Sequence, residues 1–133
     1  MRAELLNSLA LAYIGDAVFE VLVRDYLLEK GVVRVNELQK RSVQYVSAYA
    51  QAEFVHLAMQ NNFLTEREIA IYKRGRNTKG RKAKNVIIHN QSTGFEAIIG
   101  TLHLEGNDER INEIFAYFVE AVDEHKLKKL RGK

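Results

Sequence analysis

Leu9 to Val23 reads LALAYIGDAVFEVLV, and twelve of these fifteen residues are apolar; the exceptions are Gly15, Asp16 and Glu20. The chain contains no Pro, so the run predicts a helix that is greasy on nearly every side and therefore mostly buried. An ionised carboxylate in such a place is expensive unless a cation, a set of donors or solvent compensates it. Asp16 needs one of the three. Glu20, four residues on, falls on a similar side of the helix, and its natural place is the solvated rim rather than a second ligand position.

The same anomaly recurs at Glu96, which sits in FEAIIG beside Phe95, Ala97, Ile98 and Ile99. Two isolated carboxylates on two apolar helices form a donor set for a hard divalent cation such as Mg²⁺. That ion takes oxygen ligands and often uses only one or two protein carboxylates together with substrate phosphate. The competing reading is that each acid is a cap or a hydrogen-bonded core carboxylate, which is the commoner fate of a lone buried Asp. His56, His89, His103 and His125 have no metal-ligand spacing and read as structural or surface residues.

Charge is segregated. The net charge is only +3, yet no acidic residue lies between Glu68 and Glu96. Within that gap KRGRNTKGRKAK carries seven basic residues, namely Lys73, Arg74, Arg76, Lys79, Arg81, Lys82 and Lys84. The tail from Lys126 to Lys133 carries five more, and without these two segments eight basic residues face seventeen acidic ones. An acidic body with a basic element predicts a polyanion partner, nucleic acid above all. A plain solvated face is the alternative for the segment over about 73–90, and a frayed helix end with dipole-favoured cations is the reading of the tail over 126–133.

At 133 residues the chain is expected to form a single domain with a real core. No Cys is present, which excludes disulfides and thiol chemistry and fits a reducing compartment. No secretory signal and no run of eighteen apolar residues is evident, so a soluble cytoplasmic protein without membrane contact is the expectation.

Helical periodicity accounts for nearly the whole chain. The first helix is predicted from about Leu5 to Lys30, stopping at Gly31. Asn36 reads as the cap of a short helix over Glu37 to Arg41, and Ser42 as the cap of the next, with Val43, Val46, Ala50, Phe54 and Leu57 on one stripe. TERE over Thr65 to Glu68 is a capping box, opening a helix that ends near Gly75. Gly75 and Gly80 are expected to bracket a basic loop. Val86 to His89 is a possible extended stretch, Ser92 or Thr93 starts another apolar helix, and Gly106 and Asn107 break it. The last helix runs from Asp108 to about Leu127 with Ile111, Ile114, Phe115, Phe118 and Val122 inward. The fold class is all-α, with six or seven helices.

Taken together, LNSLALAYIGDAVFE, VNELQKRSVQYVSAYAQAE, KRGRN and TGFEAIIGTLHLEG resemble the catalytic domain of the ribonuclease III family. Within it the chain is similar to the short bacterial branch, the Mini-ribonuclease III form, which lacks a double-stranded-RNA-binding domain. The likeness runs over roughly residues 5 to 122. It implies the ribonuclease III endonuclease helical fold and a Mg²⁺-dependent endoribonuclease that cleaves double-stranded RNA, leaving 5′-phosphate and 3′-hydroxyl ends. By the same resemblance Asp16 is the essential aspartate of the GDA motif and Glu96 the metal-binding glutamate of the EA-x-x-G motif. The seven basic residues from Lys73 to Lys84 would grip RNA, and Tyr13 would plug into the opposite subunit of a homodimer. The substrate implied is the precursor of 23S ribosomal RNA, with a large-subunit ribosomal protein as a helper.

Two positions depart from the family pattern. Ala12 stands where the signature has a glutamate, and Thr93 where it has an aspartate, so two of the usual four acids remain. That thinning is a mark of the short branch. It also motivates a second reading, a non-catalytic RNA-binding ribosome-assembly factor that kept the fold and lost the metal site. A helical nucleotide pyrophosphohydrolase would need clustered carboxylates on an apolar helix face, which EREIA and EGNDER do not supply.

Overall fold

A computed structural model describes residues 2–78 and 86–127. Among these residues the chain forms a single 3-10 turn, Ala3–Leu5, and six α-helices with no strand. The helices are α1 (Ser8–Glu29), α2 (Val35–Val46), α3 (Ala48–Gln60), α4 (Glu66–Arg76), α5 (Val86–Leu104) and α6 (Asp108–Asp123). None is long and apolar enough to cross a membrane. The all-α expectation and its helix count agree with this architecture.

Helix α5 is the hub. It packs most heavily on α1, then on α4 and α3, and more lightly on α6. Four fully buried phenylalanines, Phe19, Phe54, Phe95 and Phe118, come from α1, α3, α5 and α6 and meet at one point. Phe19 lies 5.2 Å from Phe95 and 4.9 Å from Phe118, and Phe54 lies 4.8 Å from Phe118, centroid to centroid. Edge and tilted contacts of this kind each add about 1 kcal/mol beyond area burial. At one edge, Asp123 accepts hydrogen bonds from Tyr45 of α2 (2.5 Å) and Tyr26 of α1, tying three helices together.

Helix boundaries follow local chemistry, with four corrections to the sequence reading. The α2–α3 break falls at Ser47, whose hydroxyl accepts from the Ala50 amide at 3.2 Å, and not at Ser42. Ser42 instead lies inside α2 and donates to the Gln39 carbonyl. Val86 to His89 is the first turn of α5 rather than an extended stretch. Neither Ser92 nor Thr93 starts that helix: Thr93 Oγ1 donates back to the His89 carbonyl at 3.0 Å, and Ser92 Oγ is used across the core. Helix α6 stops at Asp123, because His125 turns to φ +58° and the Lys126 amide bonds Ala121, returning Leu127 to the core. The Thr65–Glu68 capping box is present as read.

A fifth correction, of burial rather than of a boundary, concerns α1. Its inner face, Leu11, Ala12, Gly15, Phe19, Val23 and Leu27, is buried, but the helix is not buried all round. Leu9, Tyr13, Val21 and Leu28 are exposed, Tyr13 to 81%. An apolar stripe left in solvent on a core helix marks a contact surface.

Candidate active site

Helices α1 and α5 cross with their backbones touching, and glycine makes that possible. A Cβ on Gly15 would stand 1.9 Å from the Glu96 carbonyl oxygen, and one on Gly100 would stand 1.9 Å from the Leu11 carbonyl oxygen. Each glycine therefore belongs to one carboxylate motif and clears space for the other helix. Asp16 follows Gly15 directly, and Glu96 lies one turn before Gly100. The crossing thus delivers both acids to one place.

That place is an open cleft of about 320 Å³ lined by Leu9, Ala12, Tyr13, Asp16, His89, Thr93 and Glu96. Asp16 is exposed at its mouth and Glu96 half-buried beneath it, which corrects the expectation of a buried Asp16. Burial, then the charge and the hydrogen-bonding carboxyl of Asp16 beside it, push the Glu96 carboxyl up to about 8. The Gln51 amide opposes the shift weakly, favouring the charged form. Among the described residues no Lys or Arg lines the cleft.

Ala12 and Thr93, the two departures from the family pattern, both line this cleft. His89 lines it as well, which the sequence reading missed; its spacing one turn before Thr93 was the available signal. Glu20 pairs with Arg24 at 3.1 Å and lies outside the cleft lining, as its rim reading required. Among the described residues no group of three or more His, Asp or Glu could hold a metal ion, so the acidic donor set here is two carboxylates.

The basic segment is split by the fold. Lys73, Arg74 and Arg76 form the last turn of α4, not a loop. A Cβ on Gly75 would meet the Gly94 Cα at 2.9 Å, so this turn is held against α5 two residues from Glu96. The Arg76 guanidinium lies 5.6 Å from the centre of the Tyr72 ring. Lys79, Arg81, Lys82 and Lys84 lie outside the described residues, as do residues 128–133 of the tail. Lys126, where the tail begins, pairs with Glu120 and Glu124 of the chain segment before it.

Comparison with known proteins agrees with this geometry. The family model described as Ribonuclease III domain matches residues 9–107. A Mini-ribonuclease 3 from Streptococcus pneumoniae is 43% identical over 122 residues, covering 90% of this chain and 95% of the relative. One from Brevibacillus brevis is 47% identical over 113 residues, covering 83% of each. The crystal structure of a Fusobacterium nucleatum protein superposes with a TM-score of 0.75 at 29% identity, covering 86% of this chain and 93% of that one.

Proposed function

The chain belongs to the ribonuclease III domain family and is an endoribonuclease of that family, and from that premise we propose that it cleaves double-stranded RNA at the Asp16–Glu96 cleft. The observation that carries this reading is the meeting of two carboxylates in one open cleft whose lining, among the described residues, contains no Lys or Arg. A non-catalytic assembly factor has no use for such a pair.

The donor set fits Mg²⁺. Burial first, and the Asp16 charge second, make the Glu96 carboxyl hold a proton near neutrality, and a divalent ion bound by the pair would take that proton's place. When bound, such an ion supplies a Lewis acid at the phosphoryl oxygen and a water of lowered pKa. Asp16 and Glu96 would hold it, with Thr93 lining the same cleft. Hydrolysis breaks the P–O3′ bond, leaving a 5′ phosphate and a 3′ hydroxyl. The protein's main contribution is placement.

Lys73, Arg74 and Arg76, continued by Lys79, Arg81, Lys82 and Lys84, grip phosphates and 2′-hydroxyls along the minor groove of an A-form duplex. The natural substrate in this reading is the 23S ribosomal RNA precursor, presented with a large-subunit ribosomal protein, in the cytoplasm. The exposed stripe of Leu9, Tyr13 and Val21 is the homodimer face, so that two clefts cut the two strands. Sedimentation checks that face: Tyr13→Ala shifts the protein toward monomer, and an unchanged dimer would refute the plug.

The deciding experiment is Asp16→Asn assayed on duplex RNA with Mg²⁺. Cleavage falls by about 10³-fold or more while the melting temperature and RNA affinity stay near wild type. Retained turnover would overturn the assignment.

A further inference from the structure

We infer that Gln51, oriented by Ser92, is the positioning residue that holds the Glu96 carboxylate for cation binding; this rests on the function proposed above. Gln51 is completely buried (0% exposed) in α3, between Ala50 and Ala52 and close along the helix to Phe54 and Val55. An amide in such a setting is unfavourable unless both of its ends are used. One end is used: Oε1 accepts the Ser92 hydroxyl at 2.5 Å. The other is not, since Nε2 has no hydrogen-bond partner among the described residues.

The free end has a destination. Ser92 and Glu96 are four residues apart on α5 and share a face of that helix. An amide bonded to Ser92 therefore stands beside Glu96, and Gln51 favours the charged form of that carboxylate. With Oε1 taken by the Ser92 hydroxyl, the N–H end is the one left to face Glu96. The unmet N–H is thus a donor in reserve. It closes onto the Glu96 carboxylate and so fixes which oxygen faces the cleft. Partners that orient a ligand from behind set metal affinity as strongly as many ligands do.

The inference is tested by titrating Mn²⁺ into wild type, Gln51→Met, Ser92→Ala and Glu96→Gln, reading free Mn²⁺ by electron paramagnetic resonance. Thermal melts are run on the same samples. Gln51→Met keeps the volume and suits the apolar surroundings, so its melting temperature stays near wild type or rises. Its Mn²⁺ affinity falls about tenfold, and Ser92→Ala, which only frees the amide to rotate, loses about threefold on the same reasoning. Unchanged affinity in Gln51→Met would mean the residue merely fills space, and the inference would be wrong. Should Gln51→Met fail to fold, Ser92→Ala decides in the same way. If wild type and Glu96→Gln bind Mn²⁺ alike, the cation site itself is absent, and the proposed function fails rather than the role of Gln51 alone.

Discussion

Glu68 and Glu96 are both carboxylates drawn into the protein, and the fold treats them in opposite ways. Glu68 is the more deeply buried, at 4% exposure, and it is fully compensated. Arg110 donates to both of its oxygens, Nε to Oε2 and Nη2 to Oε1 at 2.8 Å each, and the Thr65 amide donates at 3.0 Å. Burial pushes its carboxyl up, but Arg110 and the cap outweigh burial and hold it below the usual range. Arg110 is itself locked by the Phe63 carbonyl and by that residue's ring, 4.5 Å away. Glu96 is less buried, has no such cation among the described residues, and faces a second carboxylate. Its carboxyl goes up. Where charge is compensated from within, the acid is structural; where the compensation is left out, the acid waits for a ligand.

This contrast can be broken by experiment. The largest stability effect belongs to Glu68→Ala, which takes the bidentate partner from a guanidinium that is mostly buried, leaving it Glu113 and the Phe63 carbonyl, and removes a cap; unfolding by urea should show a loss of about 3 kcal/mol. A loss under 1 kcal/mol would make that pair no different from a surface bridge.

Glu96→Gln moves the other way. A carboxyl raised to about 8 in the folded state holds its proton there while the unfolded chain has lost it, from pH 4.5 upward. Wild-type stability therefore falls as pH rises from about 4.5 to 8, and the variant escapes that fall. Without divalent ions at pH 9 it should be more stable than wild type by about 2 kcal/mol, allowing for its partial exposure and its coupling to Asp16. Equal stability at pH 9 would remove the idea that this acid is strained. On the acid side the sign reverses: Glu68 contributes stability above its unfolded value, and that contribution is lost as pH drops through its depressed one.

The smallest effect sharpens where positive charge acts. Neutralising Arg74 and Arg76 should leave the stability–pH profile unchanged, because neither lines the cleft. It should flatten the log–log salt dependence of RNA binding by roughly one unit per lost phosphate contact. An unchanged slope would make this turn a solvated face.

Legibility followed the range of each interaction. The capping box at Thr65, the stop at Gly31 and the inward residues of α6 were readable because they depend on neighbours within one or two turns. The Ser42–Ser47 error came from two serines of equal local merit, separated only by which hydroxyl found an amide. Gln51 was invisible. In an alanine-rich helix it reads as an ordinary polar residue until the Ser92 hydroxyl is seen across the core.

The sequence by itself determined an all-helical chain, the two carboxylate motifs and the family they belong to, since periodicity and motif spacing are written along the backbone. Only the tertiary structure decided that Asp16 stands exposed at a cleft mouth, that Glu68 has a guanidinium and Glu96 has none among the described residues, and that α1 keeps one greasy side in solvent. The reason is physical: a residue's type fixes what it needs, but burial and charge compensation depend on which helix lies across from it, and that is set by glycine-cleared crossings between segments eighty residues apart.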